Sequence, residues 1–388
     1  MRRSALLAGA TIALAGCGGP GGTSHAAELV PPGASSFLRV RTAQLPRAAA
    51  LLARFPSRGN VLRVLPRVPT GAGRELDVAT LSGGRVYYTQ PADENAFAKR
   101  LDAAERVHAR IRGWTVFAAS AALLDAVQHR RGNLSDRPWY VAGSATLPSR
   151  AVLRELVPGW RAAALTLSGA GAELEVHRLR PPLPQVGAAL AAEVPADAIA
   201  AVGVASARSV PRRAPKLLHE LAAALGGQAV GWVRADTPLP ELTFVSQPSD
   251  AGRALHATAR LIAQLTKNPR SGAMTLDGLP MRHVATGAID IYYGLVRGKL
   301  IVTDSASAPG RLGSGGKVLR ALASLPETTE SWTYVNLRDG LPLAKRFAGL
   351  FDTTVPQTLA SSLAPVRDVL VYAFHEGRVA TVVTRIEK

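Results

Sequence analysis

Cysteine is nearly missing from this chain: Cys17 is the only one in 388 residues. One thiol excludes an internal disulfide and a thiolate metal cluster, so burial and hydrogen bonding must hold the folded body together. Aromatic residues are scarce at 5%, and the five tryptophans are scattered, which speaks against a stacked platform for sugars. Long apolar runs are missing too. Residues 5–14 form a run about half as long as the roughly twenty residues that span a bilayer as a helix. Basic residues never cluster into a run of five or six, and no aromatics interleave with them, so a nucleic-acid interface is not expected.

Catalytic and metal-binding patterns are equally sparse. The eight histidines (His25, His108, His129, His177, His219, His256, His283 and His375) form no zinc-holding His-Glu-x-x-His face, because His219-Glu220 is followed by Leu221-Ala222-Ala223. No Gly-x-Ser-x-Gly elbow occurs. Ser314-Gly315-Gly316-Lys317 fits a Ser-x-x-Lys pattern, but its companion elements are missing and it reads as a loop before a helix. The same run fails as a phosphate loop, since Arg311 replaces the first glycine and Val318 the Ser/Thr. Neither cofactor nor metal is expected, and the chain reads as non-enzymatic. His177, on a strand, reads as a surface or internally satisfied histidine.

What is present is an ordinary globular composition, 47% hydrophobic and 19% charged, long enough for two domains with cores of their own. The net charge of +18 comes mostly from arginine. Spread over a surface, it would attract anionic lipid headgroups or acidic wall polymers.

The N-terminus has the parts of a secretory signal: Met1-Arg2-Arg3, the apolar run, then Leu14-Ala15-Gly16-Cys17. These four residues resemble the lipobox of bacterial lipoproteins. The resemblance implies a signal peptide over 1–16, cleavage before Cys17, lipidation of its thiol, and a location on the extracytoplasmic face of the cell membrane. A cut near His25-Ala26-Ala27 is the competing reading and would discard Cys17. Residues 17–27, with Gly18-Gly19-Pro20-Gly21-Gly22, form a flexible tether. Two acyl chains anchor a protein stably where one does not.

The rest of the chain carries one design twice. Val30-Pro31 leads into Ser36-Phe37-Leu38, and Val194-Pro195 into Ala201-Val202-Gly203. Val86-Tyr87-Tyr88-Thr89-Gln90-Pro91 is answered by Thr243-Phe244-Val245-Ser246-Gln247-Pro248, each a strand delivering a helix, over about 91–107 and 248–265, with proline at the first helical position. Gly113-Trp114-Thr115 matches Gly298-Lys299-Leu300, Tyr140-Val141 matches Tyr334-Val335, and Leu147-Pro148 matches Leu341-Pro342. Each half closes in a hairpin. The expected organisation is half 1 over 28–180, a proline-rich linker over 181–192, and half 2 over 193–388 with an extra hairpin about 270–297 turning at Asp277-Gly278. The fold class is α+β, a tandem duplication of an antiparallel or mixed sheet with helices against one face. Gln90 and Gln247 are polar at matched strand-to-helix junctions. They serve either as helix or backbone partners or as weak candidates for ligand contact.

The opening Val194-Pro195-Ala196-Asp197-Ala198, its weaker copy Val30-Pro31-Pro32-Gly33-Ala34, and 113–124 with its strand and Ser-x-x-x-Leu helix resemble a secreted domain-of-unknown-function family of high-GC Gram-positive bacteria. That resemblance implies an envelope location and supplies no catalytic residue. The expected function is a membrane-anchored lipoprotein binding a small apolar ligand or an envelope protein in a groove between the halves. A lipid carrier is the alternative, and a cell-envelope hydrolase the third.

Overall fold

The computed structural model describes residues 25–52, 66–159, 161–169, 171–186, 188–205, 216–225, 227–236, 239–266, 270–286, 289–313, 316–350 and 353–387. The signal segment, Cys17 and most of the tether fall outside the described residues, as do Ser314 and Gly315 of the Ser-x-x-Lys pattern.

The first part of the chain contains β1 (Ser36–Arg41), α1 (Leu45–Leu52), β2 (Glu75–Leu81), β3 (Gly84–Thr89), α2 (Glu94–Ala103), β4 (Val107–Ile111), β5 (Trp114–Ala118), α3 (Ala121–Gln128), α4 (Pro138–Thr146), β6 (Leu153–Val157), β7 (Arg161–Leu167) and β8 (Gly171–Leu179). The second contains α5 (Ala188–Ala191), β9 (Ala200–Val204), α6 (Lys216–Ala224), β10 (Gln228–Arg234), β11 (Glu241–Gln247), α7 (Ala251–Leu265), β12 (Arg270–Leu276), β13 (Leu279–Ala285), β14 (Asp290–Val296), β15 (Lys299–Thr303), α8 (Lys317–Leu322), β16 (Thr329–Asn336), α9 (Leu337–Leu350), α10 (Gln357–Leu363), β17 (Asp368–Glu376) and β18 (Val379–Glu387).

These strands form one 18-stranded sheet in which every described pairing is antiparallel, so the mixed alternative does not apply. From the middle outward, the first part pairs as β8-β7-β6-β1-β2-β3-β5-β4. The second pairs as β18-β17-β16-β9-β10-β11-β15-β14-β13-β12. Leaving out the β12–β13 hairpin, each strand holds the same place in both orders. The two parts join through β8 and β18, which run antiparallel in register from Leu179 opposite Val379 to Gly171 opposite Glu387. The sheet is therefore continuous, and no groove separates the halves at this seam. His177 sits on it, with its Nε2 toward the Glu175 carboxylate (3.2 Å) and its Nδ1 toward the Thr381 hydroxyl (3.0 Å).

Local chemistry explains the turns. Arg112-Gly113, Asp277-Gly278 and Arg297-Gly298 all have positive φ at both residues, the two-residue hairpin turn whose twist matches paired strands. Asp277-Gly278 thus makes the extra hairpin that the sequence announces. The helices after Gln90 and Gln247 start later than expected. Asp93 and Asp250 are their N-caps, each carboxylate accepting an N–H three residues on (Ala96 and Arg253, both 2.9 Å). Pro91 and Pro248 precede the caps and do not occupy the first helical position.

Two further expectations are corrected. Tyr140-Val141 lies in α4 while Tyr334-Val335 lies in β16; Leu147-Pro148 follows α4 while Leu341-Pro342 lies inside α9. Two adjacent apolar residues suit a helix stripe and a strand equally, so short matches of this kind do not fix an element. Helices also cover both faces of the sheet. In the first part, Leu123, Leu124 and Val127 of α3 and Tyr140 of α4 pack with Phe37, Tyr88, Trp114 and Leu156 on one face. Phe97 and Leu101 of α2 pack with Leu76, Val78 and Phe117 on the other. In the second part, Trp232, Ile301, Trp332, Tyr334 and Tyr372 form the equivalent of the first core with Val318 of α8. Gly203 is required there: a Cβ on it would lie 2.3 Å from the Trp332 ring.

The linker is docked. The Leu183 N–H donates to Glu330 Oε1 (2.6 Å), the Arg180 guanidinium pairs with the same carboxylate, and the Val186 N–H donates to Thr329 O (2.8 Å). His375 also reaches Glu330, which is only 4% exposed.

Candidate functional site

The register of the sheet assigns each strand residue to a face. Leu38 opposes Val78, which opposes Tyr87, which opposes Phe117. This row of the first part is covered: Phe97 and Leu101 of α2 pack on Val78 and Phe117, and Tyr87 stacks on Phe117 at 4.9 Å between ring centroids. In the second part the same row is Val202, Gly231, Phe244 and Val302. Here the end of α6 and α7 pack toward one side of the row: Ala224, Leu225 and Ala254 cluster with Leu300 and touch Phe244 and Val302, and Ile262 packs with Val284 and Tyr293. Beyond Phe244, the face of β9 and β10 and the Leu242 end of β11 stay open among the described residues. Val202 is 42% exposed and Leu242 54%.

The result is an apolar cleft of about 550 Å³. Ala200, Val202, Val233, Leu242 and Phe244, which share one face of β9 to β11, line it together with Ile289 and Ile291. Gly231 sits mid-floor; its glycine has no positive φ, and an added Cβ would meet only ordinary contacts, the nearest at 3.5 Å. The absent side chain is therefore not demanded by the backbone. It deepens the cleft where Val78 fills the matching position in the first part.

Asp304 is the polar mark at the rim. Its Oδ1 accepts the Leu242 N–H (2.8 Å). Burial, reinforced by Glu241 and Asp236, raises its pKa above the usual carboxylate value despite that hydrogen bond. An anionic group entering here would meet negative potential, whereas a hydroxyl or a cation would find an acceptor.

The sequence candidates fall elsewhere. Gln90 follows β3 and Gln247 ends β11; both are exposed, and neither lines the cleft. Cys17 lies outside the described residues. Among the described residues no group of three or more His, Cys, Asp or Glu could hold a metal ion, and no helix is long and apolar enough to cross a membrane. The cleft residues escaped sequence reasoning because Val202, Leu242 and Phe244 look like any alternating strand. The signal that was available is Gly231 inside the strand Gln228–Arg234, since a glycine leaves the strand interior with no side chain to pack.

No protein-family model matches the chain, and no curated protein matches it. Among solved structures, one titled "Structure of crystal form I of TP0453" aligns over 76% of this chain and 96% of that one at 11% identity. Its TM-score of 0.19 is too low for the likeness to bear on fold or function.

Proposed function

We propose that the chain is a membrane-anchored extracytoplasmic lipoprotein that binds an apolar ligand without catalysing a reaction, and that it is a tandem duplication whose second half has been opened for this purpose. The matching strand orders of the two parts and their joining through equivalent strands support the duplication. The observation that carries the function is the contrast between the halves: one sheet face is filled by Phe97 and Leu101 of its own helix in the first, while in the second Val202 and Leu242 of the matching face are exposed among the described residues. A face that accepts aromatic and aliphatic side chains in one copy is suited to an aliphatic occupant in the other. The cleft volume lies within the roughly 300–1,000 Å³ typical of small-ligand sites.

The occupant this geometry fits is an acyl chain with an uncharged or cationic polar end, because Asp304 stands at the rim. A lipid carrier is thus the more specific form of the same reading. The anchor is the lipidated Cys17, and the +18 charge helps hold the body near anionic lipids or wall polymers. Mass spectrometry of an organic extract of the purified protein tests this. Stoichiometric neutral or zwitterionic lipid is expected, and an extract holding no lipid would refute the reading.

A further inference from the structure

The opposite face of the sheet carries a second cavity, about 440 Å³, where the ends of β16, β17 and β18 meet α8 and the start of α9. Its character is the reverse of the apolar cleft. Arg320 of α8 and Arg338 of α9 border it, both exposed and neither with an acidic partner among the described residues. Arg367 also borders it but is already engaged, by Asp368 (2.9 Å) and by Glu387. Three guanidinium groups and two carboxylates line the cavity, and the two arginines without an acidic partner among the described residues are Arg320 and Arg338.

Tyr334 distinguishes this cavity from a chance gathering of surface arginines. Its ring belongs to the core of the second half and the residue is 3% exposed, yet its phenol has no hydrogen-bond partner among the described residues. The hydroxyl itself is not sealed off from the cavity, so it can donate to an oxygen placed there. Burial, reinforced by the Asp368, Asp339 and Glu387 carboxylates against the lowering effect of Arg367, pushes its pKa up to about 12, so the hydroxyl remains a donor at neutral pH. Asn336 stands beside it, but its amide is occupied in both directions by Asp339: Nδ2 donates to Oδ2 (2.7 Å) and Oδ1 accepts the Asp339 N–H (3.1 Å). The donors without a partner are therefore Tyr334, Arg320 and Arg338, while Asp368 and Glu387, which also line the cavity, each engage Arg367 through one carboxylate oxygen.

We infer that this cavity is an anion-binding site, taking a phosphate- or carboxylate-bearing ligand between Arg320 and Arg338 with the Tyr334 hydroxyl donating to one of its oxygens. Arginine is suited to such oxygens because its planar fork donates two parallel hydrogen bonds. The site lies on the face opposite the apolar cleft and does not depend on it. The source of the anion is either a soluble phosphate compound or the headgroup of an anionic lipid.

The test uses the full mature chain with Cys17→Ser, so that no anchor holds it to vesicles. Inorganic phosphate is titrated at constant ionic strength against chloride, following amide shifts or heat. Sedimentation is measured with vesicles of phosphatidic acid and of phosphatidylcholine. Arg338→Gln and Tyr334→Phe are run in parallel; the second removes one oxygen and keeps the buried ring, so it tests the site without emptying the core. Saturable phosphate binding weakened at least about ten-fold by Arg338→Gln supports the site and a soluble ligand. Sedimentation with phosphatidic acid alone, lost in both variants and without inorganic phosphate binding, supports it with a lipid headgroup. Absence of both, or binding that neither variant changes, overturns the inference.

Discussion

Glu155 shows most directly how one residue's surroundings set its chemistry. It lies in β6 between Leu38 of β1 and Ala163 of β7, and its Oε2 is buried without a partner. Burial raises its pKa to about 7, against the lowering effect of Arg161 and Arg85. A carboxyl whose folded pKa exceeds its unfolded value holds its proton longer in the folded state. Stability then falls as pH rises from about 4.5 to about 7 and stays lower above that. Glu155→Gln should therefore stabilise the protein at pH 8, by an amount on the order of 1 kcal/mol because water still partly screens the group, and should change little at pH 4. Chemical denaturation of both proteins at the two pH values checks this. Asp304 makes a separate point at the same scale. Its raised pKa matters for ligand choice, since the carboxylate borders an otherwise apolar cleft.

Among the elements, the linker depends on a single acid. Glu330, at the start of β16, receives the Leu183 N–H, the Arg180 guanidinium and His375. Glu330→Gln keeps an acceptor but removes the charge that the Arg180 guanidinium pairs with. It should cost about 1–3 kcal/mol, and hydrogen exchange should show lost protection at Leu183 and Val186 before the sheet is affected. This docking was not legible in the sequence, where 181–192 reads only as a proline-rich connection. Other elements were legible because their signals are local. Asp277-Gly278 specifies its own turn, whereas the prolines after Gln90 and Gln247 set the helix starts too early, the caps being Asp93 and Asp250. Tyr140-Val141 misled because two apolar residues carry no period. The open cleft could not be read at all. Whether β9 to β11 are covered depends on where α7 comes to rest, and that follows from packing between residues far apart in the chain.

For the whole molecule, the seam of β8 with β18 turns two sheets into one and leaves each half its own cores on both faces. On the anchoring proposed above, lipidated Cys17 holds the chain at the membrane. Cys17→Ser should move the protein from the membrane fraction to the soluble fraction while leaving its melting temperature unchanged, as fractionation and calorimetry would show. The central claim is that the bare face of the second half receives an apolar ligand. The measurement that tests it most directly is titration with a fluorescent acyl probe of the wild-type protein and Gly231→Leu. A Cβ is accommodated at Gly231 without close contact, so leucine should fill the cleft floor. The account predicts saturable binding by the wild type and at least about ten-fold weaker binding by the variant, with no loss of thermal stability. Equal binding by the two proteins, or none by the wild type, would contradict it.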